Sequence, residues 1–498
     1  MNRRRFLTLA SLAGLTACSA RQTVTTAPPT GAARPTPISP APTGFPQAVN
    51  VPPILQPARD AAGVRHFELI AQTGRTQIVP GTQTPTWGYN GSFLGPTLRA
   101  ARGDTIAMTV RNQLPETTTV HWHGMALPAA ADGGPHQPIA AGATWSPQWT
   151  IIQPATTNWY HPHPHGQTAT HVYRGLAGLF IIDDEAEPEL PSNYGVDDVP
   201  LIIQDKFFAE DGSFSGDPHG GDDGILGDTI LVNGTYRPHL RVTSERVRLR
   251  ILNGSNARVY HLGFADNRTF QVIGTDSGLL AAPVEVERVT ISPAERLQIV
   301  VPLTAGEQVL LRTTEGEDDL GEDDFDILLL VAAAQLKPSP PVPGRLAGLQ
   351  PVRVPGNAVV RRFDLDDRRL INGLAMDPTR IDLVIPASAT EIWEITNSDA
   401  DHNFHIHEVA FQILDINGRP PPAYLAGRKD TVYLPEDSIA RLAVPFGTFT
   451  DPASPYMYHC HILRHEDDGM MGQFVIVQPG TETRTPRTLP PIHTGHGG

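Results

Sequence analysis

The chain has 498 residues, a formal charge of −15, 45 glycines, 48 prolines and two cysteines. This length implies two to four domains, the acidic balance argues against nucleic acid as a partner, and two cysteines exclude a disulfide framework. The Gly and Pro content, with short runs of alternating apolar and polar residues, predicts many short strands rather than long helices.

At the N-terminus, Asn2-Arg3-Arg4-Arg5-Phe6-Leu7 and the apolar run Leu7 to Ala17 resemble a twin-arginine export signal. The run ends in Leu15-Thr16-Ala17-Cys18, which resembles a lipoprotein processing box, so residues 1–17 are expected to be removed and Cys18 lipidated. This predicts an exported protein of the periplasm or cell envelope, touching a membrane only through its lipid. Removal of Arg3, Arg4 and Arg5 makes the mature chain more acidic still, which suits solubility first and cationic substrates second. Residues 18–57, rich in Pro, Thr and Ala, read as a disordered tether. Beyond the first twenty residues no segment is long and apolar enough to span a bilayer.

The body repeats. Gly95-Pro96-Thr97-Leu98-Arg99 leads through a second alternating run to Asn112; Pro238-His239-Leu240-Arg241-Val242 leads likewise to Asn253, and Pro378-Thr379-Arg380-Ile381 to Asn397. Each copy reads as strand, turn and strand, and the spacing of about 140 residues suits one β-sandwich per copy. The expected domains are 58–191, 192–344 and 345–480, with a disordered tail at 481–498.

Histidine pairs mark the first and third copies. His121-Trp122-His123 follows Asn112, and His405-Ile406-His407 follows Asn397, with His402 just before it. Trp159-Tyr160-His161-Pro162-His163 closes the first copy, and Tyr458-His459-Cys460-His461 closes the third. The middle copy has no such pair. A His-x-His on a strand points both rings to one face, so four pairs from two related domains predict a metal cluster at the seam between them, with the middle domain as a spacer. In an extended run, Cys460 points away from His459 and His461. Cys460, with His465 five residues on and Met470 ten residues on, offers a thiolate, an imidazole and a weak axial thioether, the donors of a blue-copper site that needs one more imidazole. As the sole thiol of an exported mature chain, Cys460 is protected by such a metal. The other histidines (His66, His136, His165, His171, His219, His239, His261, His493 and His496) read as packing or surface residues.

Together these motifs resemble the four copper-binding segments of the multicopper oxidases: laccases, bilirubin oxidases and bacterial copper-efflux oxidases. The resemblance implies an all-β fold of three cupredoxin-like Greek-key β-sandwich domains and four copper ions. By position, the type 1 copper would be held by His402, Cys460, His465 and Met470. The type 2 copper would take His121 and His405, and the type 3 pair His123, His161, His163, His407, His459 and His461. Asp132 and Glu466 resemble the family's proton-relay acids. The implied activity is one-electron oxidation of a reductant at the type 1 copper, coupled to reduction of O2 to water at the trinuclear cluster, by a monomer. The seven methionines form no Met-rich insertion, which turns the expected reductant from Cu(I) toward phenols and aromatic amines. Alternatives are a metal-ion oxidase for Cu(I), Fe(II) or Mn(II), a copper-free envelope scaffold, a copper buffer and a nitrite reductase. The acidic run from Glu315 to Asp324 could collect hard cations, although a solvated loop is its simpler reading.

Overall fold

The computed structural model describes residues 41–316, 320–346, 350–366 and 369–491. The export signal, Cys18, His493 and His496 lie outside these residues, as do Glu317, Asp318 and Asp319 of the acidic run.

Three two-sheet sandwiches follow one another along the chain, each closed around its own apolar cluster. The repeat legible in the sequence is a repeat of pairing. In each unit, the strand ending at the marker asparagine runs parallel to an earlier strand: Thr105–Asn112 beside Arg65–Thr76, Arg246–Asn253 beside Asp198–Phe208, and Thr390–Asn397 beside Val360–Leu365. In each, the strand before it runs parallel to the closing strand: Leu98–Ala101 with Gly178–Asp183, Pro238–Ser244 with Phe325–Lys337, and Leu383–Pro386 with Met471–Val477. The third copy's first strand starts at Leu383, later than the Pro378 expected from the motif.

The three asparagines share one task. The Nδ2 of Asn112 donates to Ile139 and Glu116 carbonyls, that of Asn253 to Ile291 and Arg258, and that of Asn397 to Leu434 and Ala400. Each thereby satisfies backbone carbonyls of the loop that follows its strand. Thr105–Asn112 and Thr390–Asn397 alternate buried and half-exposed side chains, as expected of a strand with one covered face. Arg246–Asn253 is buried almost throughout. There Arg250 pairs with Asp198 at 2.6 Å and Arg248 with Glu187 at 2.7 Å, which makes burial of the guanidinium groups tolerable.

Two stretches expected to be disordered are packed. Gln47–Ala48 adds a parallel strand to Pro238–Ser244, the His239 imidazole bonds the Phe45 carbonyl at 2.8 Å, and Phe45 is buried. The tether therefore extends less far than residue 57; its last part supplies an edge that the middle sandwich would otherwise leave unpaired. At the other end, Leu489 donates its N–H to the Thr379 carbonyl and packs on the third sandwich, so the tail from 481 to 491 is docked there.

Candidate metal centre

Backbone pairing brings the histidines together. His121 and His161 exchange N–H···O bonds of 2.8 and 3.2 Å in the first sandwich, and His405 lies opposite His459 in the third. The eight rings of His121, His123, His161, His163, His405, His407, His459 and His461 meet at the seam of these sandwiches, all buried. His163 Nε2 lies 3.2 Å from His459 Nε2, which is 3.3 Å from His407 Nε2. His161 Nε2 lies 3.4 Å from His461 Nε2. His121 and His405 each leave a buried Nε2 without a partner, and His123 leaves its Nδ1 so.

The second ring nitrogens explain why these atoms face inward. His121 Nδ1 donates to the Asp132 carbonyl at 3.0 Å and His405 Nδ1 to the Asp430 carbonyl at 2.8 Å. His407 Nδ1 meets Asp132 Oδ2 at 2.7 Å, and His123 Nε2 meets Asp430 Oδ1 at 3.0 Å. Glu466 spans two rings, with Oε1 3.1 Å from His163 Nδ1 and Oε2 3.3 Å from His459 Nδ1. His161 and His459 also bond the carbonyls of Pro162 and Cys460, at 2.7 and 3.0 Å. An imidazole that gives its proton to such an acceptor presents a lone pair on its other nitrogen. Lone pairs this close repel one another unless cations lie between them, so the donor set fits metal ions and suits copper, for which imidazole is a good ligand.

Burial, reinforced by neighbouring imidazoles, pushes His123, His161, His163, His405 and His459 well below the ordinary histidine range, and holds His407 at about 4 and His461 at about 3. These rings are neutral, the state that binds metal. The acids divide. Burial alone would raise Asp132, but the His407 and His121 rings outweigh it and hold the carboxyl below its usual range. Burial raises Glu466 well above the carboxylate range, and the Asp467 carboxylate adds to the shift. The two acids are thus shifted in opposite directions, the kind of division that suits a base and an acid in one site.

Asp430 has no signal in the sequence comparable to the histidine pairs. It is held by Arg296 of the middle sandwich, whose Nη1 lies 2.8 Å from Asp430 Oδ1. Arg296 in turn bonds the Asp276 carbonyl, and Lys429 pairs with Asp276 and Glu295 at 2.8 and 2.9 Å. The middle sandwich is therefore more than a spacer. It supplies the cation that fixes the acid behind His123 and His405.

The second centre lies within the third sandwich. Cys460 Sγ is 3.6 Å from both His402 Nδ1 and His465 Nδ1, and those nitrogens are 3.1 Å apart. The strand Tyr456–His459 ends just before Cys460, and the helix Leu463–Asp467 turns His465 back toward the thiol. Extended chain therefore stops sooner than the motif suggests, and a turn of helix closes the five-residue step. The Met470 carbonyl accepts the Cys460 N–H at 3.1 Å, and Met470 is fully buried. Burial pushes the Cys460 thiol up to about 12, so an ionised sulfur at neutral pH needs a bound cation. His465 Nε2 donates to the Asp222 carbonyl at 3.2 Å, on a middle-sandwich loop that Arg369 ties down through Asp222 and Asp468. Asn403 joins the two centres: its Oδ1 accepts the His461 N–H at 2.6 Å and lies 3.7 Å from Cys460 Sγ.

Elsewhere, the acidic run is tied into ion pairs, Asp323 with Arg258 at 3.2 Å and Asp324 with Arg312 at 3.8 Å. Among the described residues it forms no metal-ligating group, and neither do His66, His136, His165, His171, His219, His239 or His261. No described helix is long and apolar enough to cross a membrane.

Multicopper oxidase family patterns match residues 71–187, 203–314 and 350–480. A curated relative, multicopper oxidase mco of Staphylococcus aureus, is 36% identical over 435 residues, covering 86% of this chain and 92% of its own. The cell division protein FtsP of Escherichia coli is 35% identical over 447 residues, covering 87% and 93%. Among solved structures, a laccase from Pediococcus acidilactici superimposes with a TM-score of 0.81 at 37% identity, covering 89% of this chain and 95% of the other.

Proposed function

The chain belongs to the multicopper oxidases, copper oxidoreductases that use O2 as acceptor, and on that premise we propose a laccase-like enzyme with four coppers. His402, Cys460, His465 and Met470 would hold the type 1 ion, His121 and His405 the type 2 ion. His163, His407 and His459 would hold one type 3 ion, and His123, His161 and His461 the other. The observation that carries this reading is the convergence of the inward ring nitrogens, while the opposite nitrogens of His121, His123, His161, His405, His407 and His459 are bonded to Asp132, Asp430 and backbone carbonyls. Bound there, copper supplies one-electron exchange with the reductant and four-electron reduction of O2 to water.

The residues do the rest. The Cys460 main chain continues directly into His459 and His461, so the two centres are joined by covalent bonds and by the Asn403 side chain. His465 is buried, but its Nε2 meets the carbonyl of Asp222 on an exposed loop, and there a phenol or aromatic amine would deliver its electron. Glu466 keeps a proton beside His163 and His459, while ionised Asp132 accepts from His407 and completes a proton relay. Domain boundaries near 192 and 345 fit this division of labour, and the N-terminal motif supports export with a lipid anchor at Cys18.

The test is a visible spectrum with copper quantitation on copper-loaded protein. About four coppers per chain and an intense blue band that vanishes in Cys460→Ser are expected; a colourless, copper-poor protein would overturn the oxidase reading. That second outcome would favour a copper-free scaffold, the reading suggested by similarity to a cell division protein and opposed by the complete donor set. Oxidation rates on a phenol against Cu(I) separate a laccase-like enzyme from a metal-ion oxidase.

A further inference from the structure

Indole rings are distributed unequally between the two halves of the cage. Five of the six tryptophans (Trp87, Trp122, Trp145, Trp149 and Trp159) belong to the first sandwich. Trp122 is bonded through the backbone to both His121 and His123. Its ring lies 5.4 Å from Trp149 and 6.3 Å from Trp145, the latter stacked at 16°. Trp145 is half-buried and reaches solvent. Trp159 stacks on His161 at 4.0 Å. The third sandwich has a lone Trp393, in contact with Phe363, Phe404, Phe446 and Phe474, whose phenyl rings resist oxidation, and with Tyr458 at 5.6 Å; Trp393 and Tyr458 are both buried.

A second observation concerns the indole nitrogens. The Nε1 atoms of Trp122, Trp149 and Trp159 are buried without a hydrogen-bond acceptor. Native proteins leave few buried donors unpaired, because each costs desolvation energy. An indole with no base beside it keeps its proton when it loses an electron. Its oxidation is then reversed by return of the electron alone, with no proton to recover.

We propose that Trp122, Trp149 and Trp145 form a path by which electrons from solvent reach the cage when dioxygen there is left incompletely reduced. This rests on the copper-and-dioxygen reading of the cage. In one event the Trp122 indole would give one electron to the partly reduced dioxygen, which also takes one proton from water. The indole becomes a radical cation, an electron moves inward from Trp149 or Trp145, and the positive charge ends on Trp145. There a one-electron reductant from solution, of the same phenolic class as the substrate, gives one electron and restores the ring. The function is protective: the oxidant is spent on a replaceable electron instead of on a ligand histidine.

The test compares copper-loaded parent, Trp145→Phe, Trp149→Phe and Trp145→Tyr chains. Each is turned over in air with scarce reductant, then digested and mapped for oxygenated residues, with copper retention measured alongside. In the parent, oxidation should concentrate at Trp145. In Trp145→Phe and Trp149→Phe it should move inward to Trp122 and the ligand histidines, with copper lost after several-fold fewer turnovers. Trp145→Tyr, which restores an oxidisable ring, should recover the parent's lifetime. Rates with saturating reductant should be equal in all four. Equal damage maps and lifetimes in the parent and both Phe variants would overturn the path while leaving the oxidase reading intact. A parent that takes up no oxygen would overturn both.

Discussion

The first and third sandwiches supply the cage almost as mirror halves. The carbonyl of Asp132 holds its own sandwich's His121 while its carboxylate holds His407 of the other. The carbonyl of Asp430 holds His405 while its carboxylate holds His123. His121 stacks on His407 at 3.9 Å, and His123 on His405 at 3.7 Å. Even the close contacts repeat: a Cβ at Gly178 would strike the Tyr160 ring, and one at Gly472 the Tyr458 ring. Against this symmetry the differences stand out. The residue between the closing histidines is Pro162 in one half and Cys460 in the other, which gives only the third sandwich a sulfur. The residue between the opening pair is Trp122 in one half and Ile406 in the other. Asp430 has a guanidinium partner, Arg296, and among the described residues the ion pairs of Asp132 are with histidines. A shared frame holds the metals, and single substitutions within it decide how charge enters.

Cys460→Ser removes the sulfur that sets the third sandwich's closing segment apart and should have the largest effect. Oxidation of the reductant and the blue band should be abolished while cage copper remains, as read by absorption and copper quantitation. Glu466→Gln keeps the neutral shape but removes the transferable proton. It should slow oxygen reduction about a hundredfold or more at neutral pH, with type 1 reduction by substrate unchanged in stopped-flow. Next comes the copper-free protein's response to pH. His402 and His407 are held at about 4 by burial, against 6.5 ordinarily, so on acidification the unfolded chain takes up their protons first. Stability is complete above about 6.5 and is lost as pH falls from there toward 4; a single group such as His402 accounts for on the order of 3 kcal/mol. Thermal unfolding at pH 7 and pH 4.5 measures it, and equal midpoints would contradict the neutral, buried state of these rings. Last, Asp430→Asn should cost about tenfold to a hundredfold in cage copper affinity, and more stability than Asp132→Asn, because it leaves Arg296 buried without its charge partner. Equal losses in the two variants would show that the halves are electrostatically equivalent.

The histidine pairs and Cys460 were legible because ligands must recur at fixed steps in repeated strands, and Asp132 because it follows His123 by nine residues. Asp430 was not, since it is 307 residues from the His123 ring it holds and stands in an ordinary Lys429-Asp430-Thr431 run. Arg296 and the Asp222 loop escaped for a related reason: a domain without histidines gives no periodic signal, and its contribution is made by folding against its neighbours. The packed segments at Phe45 and Leu489 were misread because composition favours disorder there, while a few backbone bonds to an open strand edge or loop suffice to order them.

The strand Gln47–Ala48 has a mechanical consequence. Residues 45–50 are fastened to the middle sandwich through Pro238, His239 and Thr235. A pull on the chain ahead of Phe45, such as a membrane-fixed N-terminus would exert in flowing or crowded surroundings, is taken up first by this unit. The seam between the first and third sandwiches, where the ligand geometry tolerates least distortion, stands outside the line of that load.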